Sequence, residues 1–206
     1  MITVIAGVNG AGKSSVIGSF LRARRGEYFN PDEAAQRLKN LDGLTQTQAN
    51  ATAWRTGFDL LCRAIDNRAP FAFETTLGGR SITYKLHEAI SRGVPVRLLY
   101  CGLESVQLHL NRVQARVARG GHDIPEARIR ERWVSSAANL CSLVPHCTEL
   151  VVWDNSAPLS DGKPQPACLF HLRDAQFVQM PGPDIPDWAK PIAVAAMQRV
   201  NDHQSE

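Results

Sequence analysis

The chain has 206 residues, of which 44% are apolar, so it can bury a sizeable core and does not resemble a disordered or fibrous protein. Its net charge of +3 is too small to indicate nucleic-acid binding, and its five cysteines, with no C-x-x-C spacing, argue against a disulfide framework or a zinc ribbon. No apolar run approaches the roughly 18 residues of a membrane span, so we expect a cytoplasmic protein that does not enter a membrane.

Short apolar runs alternate with longer amphipathic stretches along most of the chain, which is the pattern of βαβ units. We therefore predict an α/β fold in which a mainly parallel sheet is flanked by helices. The predicted strands are 2–6, 27–30, 70–74, 95–101 and 149–153. The predicted helices are 13–24, 31–40, 46–67, 81–92, 105–118, 126–143 and 186–203. Proline and glycine punctuate residues 158–206, which we predict to be a loop-rich extension with a small hairpin and a closing helix.

A glycine-rich loop follows the first predicted strand and fits the pattern G-x-x-x-x-G-K-[ST]. Its glycines would let successive backbone N–H groups converge on phosphate oxygens, while Lys13 would reach the β and γ phosphates and Ser14 would bind Mg²⁺. The alternative is a glycine-rich turn with no ligand, but the flanking strand and helix favour nucleotide binding. No N-K-x-D tetrapeptide occurs, which disfavours GTP. The candidate phosphate-binding residues are Gly7, Asn9, Gly10, Ala11, Gly12, Lys13, Ser14 and Ser15.

Two acidic residues follow predicted strands at the edge of the sheet where ligands bind. Asp32 is our candidate for the carboxylate that orients an acceptor hydroxyl and takes its proton, although an acid in a first helical turn can also serve the helix dipole. Glu74 is a candidate for holding Mg²⁺ through water or for fixing the substrate, and the alternative is a solvent-facing carboxylate. Thr75 and Thr76 offer hydroxyl groups beside it.

Six of the eighteen arginines lie between residues 112 and 132. Arg112, Arg116 and Arg119 share one helix face, Gly120-Gly121 ends that helix, and Arg132 lies on the next one. Such a pair of helices can form a lid whose guanidinium groups bind phosphate oxygens and stabilise charge in the transition state. The alternative is a solvated basic face paired with glutamates.

These motifs together resemble the zeta toxin family of P-loop kinases, in particular its compact chromosomal branch. The resemblance rests on five segments: residues 7–15, 30–32, 73–77, 112–132 and 154–156. It implies an adenylate-kinase-like fold with a helical arginine lid, ATP and Mg²⁺ as cofactors, and a single P-loop kinase domain over 1–206 whose nucleotide-binding core spans 1–157. It also implies a small antitoxin protein as a possible partner.

The family resemblance further implies transfer of the γ-phosphate of ATP to a sugar hydroxyl, with a nucleotide sugar such as UDP-N-acetylglucosamine as the acceptor. By position, Lys13 would hold phosphate, Ser14 the metal, Asp32 would be the base and Glu74 would help to hold the acceptor. The resemblance also implies that Arg116, as the catalytic arginine, clamps the γ-phosphate together with Arg112 or Arg132. The sequence also allows two alternatives. One is a P-loop ATPase or ATP-binding switch that acts on a protein, and the other is a polynucleotide 5′-kinase, although the sequence shows no basic groove interleaved with aromatic residues.

Overall fold

A six-stranded sheet forms the centre of the computed structural model, which describes residues 1–18 and 27–204. The strands lie in the order β2-β1-β3-β4-β5-β6; the first four are parallel, and β5 and β6 are antiparallel additions. The predicted mainly parallel α/β fold is thus confirmed. The strand bounds are β1 Ile2–Ala6, β2 Phe71–Thr75, β3 Val96–Gly102, β4 Glu149–Asp154, β5 Ala167–Arg173 and β6 Gln176–Gln179.

Helices cover both faces of this sheet. The bounds are α1 Ser14–Gly18, which is a π-helical turn, α2 Pro31–Asp42, α3 Gln46–Asp66, α4 Arg80–Ser91, α5 Val106–Val117, α6 Glu126–Leu143 and α7 Lys190–Gln204. These match the predicted helices to within a few residues, except that the second part of the predicted helix 13–24 lies outside the described residues.

The central strand β1 shows how the sheet separates two hydrophobic layers. Successive side chains of a strand point to opposite faces. Ile2, Val4 and Ala6 therefore join the larger cluster with α3, α4, α6 and α7, whereas Ile5 joins a smaller cluster with α1. Because both faces are covered, every residue of β1 except Thr3 is fully buried, as expected for the middle of a parallel sheet.

The predicted strand 27–30 is wrong in extent. The structure retains only one parallel bridge, in which Phe29 N–H donates to the Ala72 carbonyl and Glu74 N–H donates to the Phe29 carbonyl, both at 2.8 Å. The strand cannot continue, because Asn30 is the N-cap of α2. The first residue of that helix, Pro31, has no N–H to donate to a neighbouring strand. The chain therefore turns from the sheet edge straight into a helix, which places Asp32 at the strand ends.

The predicted hairpin in the C-terminal extension is confirmed as β5 and β6. A buried carboxylate, Glu149, ties this hairpin to the parallel sheet. It accepts hydrogen bonds from Arg97 Nε at 2.5 Å, His171 Nε2 at 2.7 Å and Arg173 Nη2 at 2.6 Å. Burial raises the pKa of Glu149, but these three donors outweigh burial and hold it below its usual value.

The helices of the described chain (1–18 and 27–204) are all too short or too polar to cross a membrane.

Candidate active site

The loop between β1 and α1 has the conformation that the glycine pattern requires. Gly7, Gly10 and Gly12 have φ angles of 142°, 84° and 86°, a region that residues with a Cβ atom rarely adopt. Space is also restricted there: a Cβ atom on Gly10 would lie 2.7 Å from the His109 carbonyl oxygen, and one on Gly12 would lie 2.5 Å from Asn155 Nδ2. These glycines allow neighbouring segments to pack directly on the loop backbone.

Donors from outside hold the carbonyl groups of the loop. Asn155 Nδ2 donates to the Ala11 carbonyl at 2.9 Å, and Cys101 Sγ donates to the same oxygen at 3.2 Å. His109 Nδ1 lies 2.7 Å from the Asn9 carbonyl oxygen, which can only accept, so Nδ1 carries the proton. The loop is therefore fixed by side chains from β3, α5 and the segment after β4.

His109 is a fully buried histidine whose pKa is lowered to about 4. Burial is the main cause, because a charged imidazole loses its hydration, and the positive charges of Lys13 and Arg112 lower the pKa further. Its ring packs edge-on against Trp133, with the centroids 5.2 Å apart. His109 is thus a neutral structural support of the loop.

Three side chains form a polar network beneath the loop. Glu74, at the end of β2, lies with its Oε1 3.6 Å from Lys13 Nζ and accepts a hydrogen bond from Ser14 Oγ at its Oε2, at 2.8 Å. Lys13 Nζ also lies 3.5 Å from the Val8 carbonyl oxygen. Lys13 and Glu74 are both buried, so their attraction is only weakly screened by water. The predicted strand-end acid therefore lies directly against the two signature residues of the loop.

Asn30 connects this network to the start of α2. Its Oδ1 accepts the backbone N–H groups of Asp32 and Glu33, at 2.9 and 3.4 Å, which makes it the N-cap of the helix. Its Nδ2 donates to Glu74 Oε2 at 3.4 Å. The same residue thus orients Glu74 and holds Asp32 in the first helical turn, where the Asp32 side chain is exposed to the cavity.

Arg132 reaches the loop from α6. Its Nη1 donates to Asn9 Oδ1 at 2.7 Å, and its stem passes so close to Gly78 that a Cβ there would lie 2.7 Å from Arg132 Cγ. Burial is the main cause of a lowered pKa for this guanidinium, the charge of Arg128 lowers it further, and the charge of Asp32 opposes the shift. The Arg132 guanidinium and the Asp32 carboxylate therefore attract each other electrostatically, and both line the same cavity.

α6 is itself anchored to the loop after β2. Ser135 Oγ donates to the Gly78 carbonyl at 3.0 Å, Ser136 Oγ to the Thr76 carbonyl at 2.7 Å, and Asn139 Nδ2 to the Leu77 carbonyl at 2.8 Å. These bonds fix the part of α6 that carries Arg132 against the loop after β2.

A cavity of about 580 Å³ brings many of the predicted site residues together. It lies between the phosphate loop, the start of α2, α3, the loop after β2 and the start of α6. Seven of the predicted residues line it: Asn9, Lys13, Asp32, Glu74, Thr75, Thr76 and Arg132.

Two predicted arginines lie elsewhere in the structure. Arg112 Nη2 donates to the carbonyl groups of Asn155 and Ala157, at 2.7 and 3.3 Å, beside the phosphate loop. Arg116 Nη2 donates to the His122 carbonyl at 2.7 Å, within the segment that joins α5 to α6. Neither side chain lines the cavity. The phosphate-binding roles assigned to them from the sequence stay predictions.

One wall of the cavity was not predicted from the sequence, apart from Trp54, which the sequence allowed as a pocket residue but favoured as a core residue. Six residues on one face of α3 line it: Gln46, Thr47, Asn50, Trp54, Gly57 and Phe58. Trp54 is 49% exposed, unusual for so large an aromatic side chain, and it stacks on Phe58 with the ring centroids 5.2 Å apart. The sequence held one signal, because these residues share one face of the predicted helix 46–67, but the pattern does not tell which face meets a ligand.

Comparison with known proteins supports this fold. A stretch of 127 residues, 62% of the chain, is 32% identical to an uncharacterized protein of Haemophilus influenzae, of which it covers 88%. The solved AvrRxo1-ORF1:-ORF2 complex with ATP is similar with a TM-score of 0.61 at 13% identity over 95% of the chain. This protein spans only 63% of the length of that structure's chain.

A second solved structure comes from the PezAT chromosomal toxin-antitoxin system of Streptococcus pneumoniae. It is similar with a TM-score of 0.56 at 12% identity, over 100% of this chain and 87% of that one. At such identities the two structures establish the fold alone. A comparison of the sequence with protein families is more specific. Residues 2–135 match the family described as an AAA domain. This stretch runs from β1 into α6 and includes Lys13, Asp32 and Arg132. The chain therefore belongs to this AAA domain family.

Proposed function

We propose that the protein is an ATP-dependent kinase that transfers the γ-phosphate to a sugar hydroxyl. The observation that carries the proposal is the meeting of Lys13, Asp32 and Arg132 in one cavity. A phosphate ligand, a carboxylate and a guanidinium are the groups that phosphoryl transfer to an alcohol needs, because catalysis there is mostly positioning and charge stabilisation.

The phosphate end of the site comes from the glycine loop. Its backbone N–H groups and Lys13 would hold the β and γ phosphates of ATP. The hydroxyl of Ser14 and the carboxylate of Glu74, 2.8 Å apart, are oxygen donors of the kind that Mg²⁺ prefers, so these residues fit a magnesium ion. When bound, Mg²⁺ would neutralise charge on the phosphates.

Asp32 is the proposed catalytic base. It would accept a hydrogen bond from the acceptor hydroxyl and orient that oxygen toward the γ-phosphorus. As the new O–P bond forms and the bond to the β-phosphate oxygen breaks, the hydroxyl proton would pass to the Asp32 carboxylate and ADP would leave. Its position in the first turn of α2, held by the Asn30 cap, keeps this carboxylate at the cavity wall.

Arg132 would stabilise the charge that develops on the transferred phosphoryl group. Its hydrogen bond to Asn9 fixes the guanidinium beside the phosphate loop, so little reorganisation is needed during reaction. Arg112 and Arg116 are proposed as additional phosphate ligands of the lid. Gly120, with a φ angle of 85°, follows the end of α5, the helix that carries them, and is the proposed hinge.

The resemblance to zeta toxins supports a nucleotide sugar such as UDP-N-acetylglucosamine as the acceptor. Glu74, Thr75 and Thr76 would contact it, since all three line the cavity. We treat residues 1–206 as one kinase domain, with 158–206 as an extension that adds two strands to its sheet. The toxin-antitoxin neighbour also motivates a proposed protein partner of antitoxin type.

The direct test is transfer of label from γ-labelled ATP to a panel of nucleotide sugars. We expect label in an acceptor, with Asp32→Asn lowering transfer by about 10²- to 10⁴-fold, the usual contribution of a general base. Lys13→Ala should abolish transfer. Asp42→Asn is the matched control, because Asp42 is an exposed acid at the other end of the same helix.

Two results would contradict the proposal. One is ATP hydrolysis that no acceptor stimulates, which would favour a P-loop ATPase or switch. The other is equal transfer by Asp32→Asn and Asp42→Asn, which would remove the role of the Asp32 carboxylate.

A further inference from the structure

The α3 wall, defined as Gln46, Thr47, Asn50, Trp54, Gly57 and Phe58, combines an aromatic surface with a directed hydrogen-bond donor. Asn50 and Trp54 are four residues apart on the helix, so their side chains are neighbours on the face that lines the cavity. A capping box between Thr45 and Gln48 fixes the start of this helix, and Ala49 and Ala53 pack it on α2. The wall is therefore carried by a rigid element.

The aromatic part of the wall suits a flat ligand. The indole of Trp54 and the ring of Phe58 are nearly parallel, with 14° between their planes, and half of the Trp54 surface is exposed. A planar heterocycle can extend such a stack, and stacking of a nucleobase on an aromatic side chain tolerates any base because every base has a π face.

The orientation of the Asn50 amide follows from a chain of hydrogen bonds that begins at Lys39. The ammonium group of Lys39 can only donate, so Gln46 must turn its Oε1 toward it, at 2.7 Å. Gln46 Nε2 then donates to Asn50 Oδ1 at 2.9 Å. This leaves Asn50 Nδ2, which only donates, as the group available to a ligand beside Trp54.

We propose that the α3 wall binds a nucleobase of the phosphate acceptor, stacked on Trp54, with a carbonyl oxygen or ring nitrogen of the base accepting from Asn50 Nδ2. This inference rests on the proposed kinase function, because it assigns the cavity opposite Lys13 to the acceptor. A nucleobase site limits the acceptors to compounds that carry a base, which excludes free sugars.

Binding can be measured without catalysis, in the Lys13→Ala protein and in the absence of ATP. The probes are uridine, cytidine, adenosine and guanosine, with N-acetylglucosamine and ribose as compounds that lack a base. Saturation-transfer difference NMR is expected to show transfer to base protons of at least one nucleoside, and titration of that nucleoside gives its Kd.

Substitutions in the wall then test the two contacts. Trp54→Ala should raise the Kd about five- to 150-fold, the usual range for loss of one stacked base, whereas Trp54→Phe should keep most of the affinity. Tyr84→Ala is the matched control, since Tyr84 is a 71% exposed aromatic residue on α4 outside the cavity, and it should leave the Kd unchanged.

Asn50→Asp replaces the donor with an acceptor and should raise the Kd about tenfold. Its control is Asn111→Asp, because Gln107 Nε2 donates to Asn111 Oδ1 at 2.9 Å in the same arrangement on α5. Unchanged thermal unfolding of each variant shows that its fold is intact.

The proposal is overturned if only the sugars bind, if no nucleoside binds, or if Trp54→Ala and Tyr84→Ala have equal Kd values. These results do not depend on phosphate transfer. If transfer instead occurs to a sugar without a base, the kinase function stands and the nucleobase site is wrong.

Discussion

Protonation of His109 should destabilise the protein in mild acid. The buried imidazole has its pKa lowered from 6.5 to about 4, while in the unfolded chain it returns to the ordinary value. The unfolded state therefore binds the proton more tightly, and the stability that neutral His109 contributes is present above pH 6.5 and lost as the pH falls toward 4. The loss amounts to about 2 kcal/mol at pH 5 and about 3 kcal/mol once the pH is below 4.

Urea denaturation of the wild type and of His109→Asn, at pH values from 7.5 to 4.5, measures this effect. Asparagine keeps a donor near the position of Nδ1 but does not titrate, so this variant should be less stable at pH 7.5 and lose less free energy of unfolding on acidification. His87→Asn is the control, because His87 is a partly exposed histidine whose Nε2 lies 3.1 Å from Ser142 Oγ. Equal losses in the free energy of unfolding for His109→Asn and the wild type between pH 7.5 and 4.5 would contradict a role of His109 protonation.

Three further predictions concern Arg132 and its surroundings and the buried carboxylate Glu149. Arg132→Ala should lower kcat about a hundredfold or more, with a smaller change in the KM for ATP. The predicted role of Arg116 implies the same loss for Arg116→Ala. Steady-state kinetics of the two variants show which guanidinium group stabilises the transition state. Gly78→Ala should lower kcat about tenfold, because the added Cβ would lie 2.7 Å from Arg132 Cγ and displace that side chain. Gly79→Ala is the control, because a Cβ there meets nothing within 4 Å. Equal kcat values for the two variants would show that catalysis does not depend on the position of the Arg132 side chain. Glu149→Gln should lower the free energy of unfolding by about 1–2 kcal/mol, since three donors lose a charged acceptor, and an unchanged urea midpoint would contradict this.

The phosphate loop and the strand-end acid could be predicted because their signals are local. The glycine pattern specifies backbone conformations that the structure shows at Gly7, Gly10 and Gly12. Glu74 ends a strand that pairs with β1 in parallel, and parallel strands bring their carboxyl ends to one edge. The contact between Glu74 and Ser14 follows from that topology.

The arginines and the α3 wall depend on packing that a single sequence does not reveal. Arg112 and Arg116 share a helix face in the sequence, but the Arg112 side chain reaches the carbonyl groups that follow β4, while Arg116 folds back on its own hinge. Trp54 has the spacing of a core residue, yet it is half exposed because Ala49 and Ala53 form the contact with α2. Hydrophobic periodicity identifies an amphipathic helix, and its neighbours then decide which face meets the cavity.

The donors around the phosphate loop explain how an uncharged backbone can be prepared for an anion. Each peptide group has an N–H and a carbonyl, so a loop that directs its N–H groups at phosphate must satisfy its carbonyl groups elsewhere. His109 donates a hydrogen bond to the carbonyl of Asn9, while Asn155 and Cys101 donate to the carbonyl of Ala11. A neutral His109 makes this bond without adding a second buried positive charge beside Lys13. The burial that lowers the pKa of His109 therefore also keeps this support of the loop uncharged.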